Sequence, residues 1–108
     1  WQGDANAFLC RFFPLCQSPA AVINLTGPEV LAVRDIAESL GRQMGKSPRF
    51  LGWEAPEALL GNTRQLCAEF GRPSIGYEQI VRWVAQWVME GGRSLGKPTK
   101  YESRSGQF

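Results

Sequence analysis

The fold turns on two short runs, Ala21-Val22-Ile23-Asn24-Leu25-Thr26 and Arg49-Phe50-Leu51-Gly52-Trp53-Glu54, and on what joins them. The first is apolar and partly β-branched and is closed by the turn signal Gly27-Pro28, so it reads as a strand. After it, Val33, Ile36, Ala37, Leu40 and Met44 recur at i, i+3, i+4, i+7 and i+11, with Arg34, Asp35, Glu38, Arg42 and Gln43 on the opposite side. That is the pattern of an amphipathic helix, stopped at Gly45 and again at Pro48. The second run then reads as another strand. The expected unit is strand, helix, strand, with a connection long enough for parallel pairing through a right-handed crossover. Two strands alone leave edges and faces bare, so further helices must cover them, and the expected fold class is α+β.

The flanking sequence supplies those helices. Ala5, Phe8, Leu9, Phe12 and Cys16 follow Asp4 at helical spacing, with Asp4 as the N-cap and Pro14 and Ser18-Pro19 as the stop. Between residues 55 and 75 the pattern weakens. Pro56, Gly61, Gly71 and Pro73 mark turns around a short helix containing Leu66, Cys67 and Phe70. From Tyr77, Ile80, Val81, Val84, Trp87 and Val88 share one helix face, which Gly91-Gly92 ends. Trp83 and Trp87 are four residues apart, and core packing is expected for at least one of them. Residues 1–92 are read as one lobe and 93–108 as an extended tail.

The chain has 108 residues, 44% hydrophobic and 20% charged, the balance of one folded domain rather than a disordered chain. Its net charge of +2 is too small to indicate nucleic acid or a membrane surface, and it resides in the tail. Residues 93–108 hold Arg93, Lys97, Lys100 and Arg104 against Glu102 alone. Histidine is absent, which removes the commonest general base and metal ligand. Cys10, Cys16 and Cys67 are odd in number and lack Cys-x-x-Cys spacing. They read as small core residues in a reducing compartment, with no metal site and a cytoplasmic location expected. No run approaches the ~18 apolar residues of a membrane span. The start at Trp1-Gln2-Gly3-Asp4, without Met or signal peptide, leads us to expect a piece of a longer chain.

Several motifs fail on context. Gly91-Gly92-Arg93-Ser94-Leu95-Gly96-Lys97 matches a phosphate-binding loop, but Pro98 stands where Ser or Thr should bind Mg²⁺, and the segment leaves a helix instead of opening one. Gly41 to Ser47 is one residue too short between its glycines. Asp35 to Gly41 reads like the start of a helix-turn-helix, yet Gly45 and Pro48 leave barely one turn for the second helix. The Asn24-Leu25-Thr26 sequon reads as strand backbone, not as a glycan site. No carboxylate pair stands out among Asp4, Asp35, Glu38 and Glu54. Arg64 and Arg72, in the irregular region, suit recognition of phosphate or carboxylate.

The order of these segments resembles the C-terminal part of the NAD-dependent epimerase/dehydratase family, the extended short-chain dehydrogenases/reductases. The resemblance rests on Ile23-Asn24-Leu25-Thr26-Gly27-Pro28-Glu29, the helix from Val33 to Gly45-Lys46, Phe70-Gly71-Arg72-Pro73, the helix through Trp83 and Trp87, and Gly96-Lys97-Pro98-Thr99. It implies a substrate-binding lobe that packs on an NAD(P)-binding Rossmann domain of the same polypeptide, in enzymes acting mainly on nucleotide-linked sugars. The family's Gly-x-x-Gly-x-x-Gly loop and Tyr-x-x-x-Lys pair are absent, since neither Tyr77 nor Tyr101 has a Lys four residues on. This chain alone is therefore expected neither to bind NAD or NADP nor to transfer hydride. Asn62, Arg64 and Arg72 are the expected substrate contacts and Trp53 a stacking surface, chosen for location and chemistry. Self-association of the lobe is also expected. The competing reading is a small self-standing module that binds a protein or nucleic-acid partner.

Overall fold

The computed structural model describes residues 1–97, and among these every regular element is helical. In chain order they are α1 (Gln2–Arg11), a 3-10 turn (Phe13–Leu15), α2 (Val33–Met44), α3 (Arg64–Phe70) and α4 (Tyr77–Met89). Of the expected tail, residues 93–97 are irregular and 98–108 lie outside the described residues.

The α+β expectation is thereby corrected: no strand forms among the described residues. Residues 21–26 and 49–54 stay irregular and lie against different neighbours. Asn24 donates its Nδ2 to the carbonyl of Asn62 at 3.2 Å, and Thr26 packs at Gly61, where an added Cβ would fall 2.8 Å from Thr26 Cγ2. The second run is instead tied to the start of α2. Arg34 donates to Glu54 Oε1 at 2.6 Å and lies over the Phe50 ring, 4.2 Å from its centroid. A strand is stabilised by the ladder its neighbour completes, and neither run has such a neighbour here.

The helices follow local rules more closely. α2 spans the whole apolar stripe and passes through Gly41 unbroken, so the helix-turn-helix geometry does not form. Gly45 ends it at φ 65°, the left-handed conformation glycine adopts without strain, and Lys46 N–H closes a 2.9 Å bond back to the Gly41 carbonyl. Gly41 itself is buried, and a Cβ there would meet Lys46 O at 2.4 Å and Pro48 Cδ at 2.9 Å. Gly41→Ala gains about 1 kcal/mol of helix propensity but forces an overpacking of about 1–3 kcal/mol against backbone that cannot move without breaking the cap. We expect net destabilisation, with faster hydrogen exchange at the Lys46 amide. An unchanged or raised Tm would show that the 46–48 segment does not seat on α2.

α2 packs against α4, and α1 meets α3 through the Phe8 and Phe70 rings. Phe70 meets Phe8 at 6.2 Å and Phe12 at 5.3 Å between ring centroids, while Arg11 caps the Phe70 carbonyl at 3.2 Å. Among the described residues the buried apolar core is small: Phe8, Leu66, Val81 and Ala85. Of the face expected on α4, Val84, Trp87 and Val88 are exposed, and neither Trp83 nor Trp87 is buried. Trp83 lies against Trp1, and Trp87 donates to the Arg93 carbonyl. The cysteines are not core residues either, since Cys10 and Cys16 are exposed and Cys67 is half-buried. Accordingly the radius of gyration is 16.7 Å, against about 13 Å for a compact chain of this length.

Asp4 is the buried polar group of this core. It is not the cap of its own helix, a position that Trp1 holds. Its carboxylate instead accepts from Ser74 N–H at 3.1 Å, Ser74 Oγ at 2.6 Å and Ile75 N–H at 3.1 Å, pinning α1 to the turn before α4. The Ser74 hydroxyl, helped by the two backbone amides and opposed by burial, holds its pKa below the ordinary value. A depressed folded pKa contributes stability that is present above the ordinary carboxylate range and is lost as pH falls through the folded value. Acidification from about pH 7 to pH 5 should therefore leave the Ser74 and Ile75 amides protected, and acid below the ordinary range should release them. In Asp4→Asn both should exchange at least about tenfold faster at neutral pH. Equal protection in the variant would remove Asp4 as the pin.

Candidate functional site

The 61–65 turn folds back on residues 22–24 and encloses an open cleft of about 400 Å³, lined by Val22, Asn24, Asn62, Arg64, Gln65 and Ala68. Its geometry begins with Asn62. The side-chain Oδ1 accepts from Arg64 N–H at 2.9 Å, an Asx turn that launches α3, while its carbonyl takes the Asn24 amide. Arg64 is the first residue of α3 and is exposed, and its guanidinium has no ion-pair or hydrogen-bond partner among the described residues. One free cation thus stands among three carboxamides, with Val22 and Ala68 as the apolar wall.

Such a lining binds rather than reacts. A guanidinium fork pairs with a phosphate or carboxylate, and carboxamides both donate to and accept from hydroxyls. No group lining the cleft is a general base or nucleophile. Tyr77, the tyrosine among the described residues, has its phenol pushed above the ordinary range by the neighbouring Glu78 charge, with burial adding to it. It stays protonated at neutral pH, the opposite of what a proton-abstracting tyrosine needs.

Of the four expected contacts, Asn62 and Arg64 share the cleft. Arg72 lies beyond the other end of α3, about 10 Å along the axis from Arg64. It is engaged with Glu29, Nη2 to Oε1 at 2.5 Å, in a largely exposed pair. Trp53 is fully exposed and does not line the cleft. Asn24 and Gln65 were not among the expected contacts. Nothing local marks Asn24 as a site residue, because its role depends on contact with Asn62, 38 positions away.

Gly45, Gly71 and Gly91 follow helices, and Gly76 caps the start of α4 without a second glycine beside it, so among the described residues the glycines do not form the glycine-rich turn that opens a helix toward a pyrophosphate. No group of His, Cys, Asp and Glu that could hold a metal ion occurs among the described residues. Together these features describe a small helical unit whose Asn62 cleft is polar and carries the Arg64 cation. Comparison with protein-family models, with curated proteins and with solved structures gave no match.

Proposed function

We propose that the chain is the substrate-binding lobe of an NAD(P)-dependent epimerase, dehydratase or reductase acting on nucleotide-linked sugars, completed by a Rossmann domain of the same polypeptide. The observation that carries this reading is the Arg64 cleft, a free guanidinium among Asn24, Asn62 and Gln65, which suits a ligand that is both anionic and polyhydroxylated. The order of segments from Ile23 to Thr99 supports the choice of enzyme class. The cofactor and its proton-transfer groups belong to the other domain, and this lobe holds the substrate against them. Val22, Leu51 and Trp53 are 82%, 80% and 100% exposed, apolar side chains that a second domain would cover. Cys10, Cys16 and Cys67 are unbridged, which favours a cytoplasmic setting. No helix among the described residues is long and apolar enough to cross a membrane.

The test is calorimetric titration of uridine and thymidine diphosphate sugars into a polypeptide joining this lobe to an NAD(P)-binding domain, with Arg64→Ala beside it. Binding that Arg64→Ala weakens supports the reading. Binding that ignores Arg64, or none at all, overturns it. Salt-sensitive binding to duplex DNA would instead favour a nucleic-acid module.

A further inference from the structure

We infer that the Arg64 cleft receives the carboxylate of a sugar acid, the hexuronate end of the substrate, and not the diphosphate that links sugar to nucleotide. The inference rests on the reading of this cleft as the substrate site and states which part of the substrate enters it. Charge comes first. Of the lining residues Val22, Asn24, Asn62, Arg64, Gln65 and Ala68, Arg64 alone is ionised. A diphosphate brings a charge on each phosphate, so a single guanidinium leaves the second without a partner. The next cation along α3, Arg72, stands about 10 Å away and is paired with Glu29. The first backbone donor of α3 is also spent, because Arg64 N–H is given to Asn62 Oδ1 at 2.9 Å. A carboxylate carries one charge, and its two oxygens match the two-pronged donor of one guanidinium.

The carboxamides fit what surrounds such a carboxylate. Asn24 spends its Nδ2 on the Asn62 carbonyl, and Asn62 spends its Oδ1 on Arg64 N–H. That leaves Asn24 Oδ1 as an acceptor and Asn62 Nδ2 as a donor, with both ends of the Gln65 amide uncommitted among the described residues. Ring hydroxyls, each donor and acceptor at once, use such a mixed set, whereas phosphate oxygens only accept and leave Asn24 Oδ1 unmet. Val22 and Ala68 offer an apolar wall to the C–H face of a ring. Size agrees with this. The cleft's volume of about 400 Å³ lies at the small end of ligand sites, about 300–1,000 Å³, so it accommodates one sugar ring while the nucleotide stays outside.

Amide NMR of this chain, titrated with sodium glucuronate and sodium galacturonate to about 50 mM, tests the assignment, with glucose, inorganic phosphate and inorganic pyrophosphate as comparisons. The uronates should shift the side-chain amides of Asn24, Asn62 and Gln65 and the Arg64 Nε–H. Their Kd should lie at least about tenfold below that of glucose, the ratio a hydrogen bond to a charged group gives. Arg64→Ala should bring the uronates to the level of glucose. Gln65→Glu, at an exposed position of α3, should do the same by neutralising the cleft while leaving glucose as it was. Both variants should keep the helical circular dichroism. Equal affinity for glucose and the uronates, tighter binding of phosphate or pyrophosphate, or no shift at these residues overturns the inference. The proposed function fails separately. In the polypeptide joined to an NAD(P)-binding domain, Arg64-dependent binding of uridine diphosphate glucose as tight as that of uridine diphosphate glucuronate keeps the enzyme class and removes the sugar acid.

Discussion

Leu66→Ala is expected to cost about 2–5 kcal/mol and to leave the isolated chain largely unfolded at 25 °C. Leu66 is 1% exposed and is the largest fully buried side chain. It stands in the middle of α3, which α1 meets through Phe8, Phe12 and Phe70. Truncation removes the transfer free energy of one methine and two methyl carbons and leaves a cavity in a core that, among the described residues, otherwise consists of Phe8, Val81 and Ala85. Ordinary domains are stable by about 5–15 kcal/mol, and four buried apolar residues among those described place this chain at or below the bottom of that range. The loss is therefore comparable to the whole. Urea unfolding followed by tryptophan fluorescence measures it, with Leu60→Ala as the control. Leu60 is exposed, so its truncation should stay within about 0.5 kcal/mol. Similar midpoints for the two variants would mean that the helices are not organised around α3.

In the enzyme proposed above, Arg64→Ala should raise KM for a nucleoside diphosphate sugar about 10- to 150-fold with kcat within about twofold. That range corresponds to the 1.5–3 kcal/mol of a hydrogen bond to a charged group. The split follows from geometry: the cleft holds no reacting group, so Arg64 contributes binding common to ground state and transition state. Folding is not at issue. Arg64 is exposed at the first turn of α3, where Ala is an equally good helix former. Arg64→Lys should recover part of the loss, because it restores the charge but not the two-pronged donor. Arg72→Ala should matter far less, since Arg72 is already spent on Glu29 in an exposed pair worth about 0.2–1 kcal/mol. A larger KM effect at Arg72 than at Arg64 would move the substrate to the other end of α3.

The helices were legible because what makes them lies within a few residues. The stripe from Val33 to Met44 marks α2 residue for residue, and the left-handed Gly45 stops it where the sequence says it should. Pro14 ends α1 with a 3-10 turn, and Tyr77 opens α4. Which faces would be covered was not legible. Val84, Trp87 and Val88 have the spacing of a core face, yet they are exposed, because burial depends on a second surface that periodicity cannot name.

The strands failed for the same reason in stronger form. Ala21–Thr26 has the composition of a strand, but a strand is completed by hydrogen bonds to another segment, and no backbone pairing reaches it here among the described residues. The site was half legible. Asn62 and Arg64 are two positions apart in sequence and their chemistry could be named, whereas Asn24 meets Asn62 from 38 positions away. Asp4, read as a cap for its own helix, serves a turn 70 positions away. Interactions within one turn of helix are written in the order of residues and survive without the rest of the molecule. The cleft and the buried carboxylate depend on distant segments meeting, and that is settled by which apolar surfaces find partners when the chain folds.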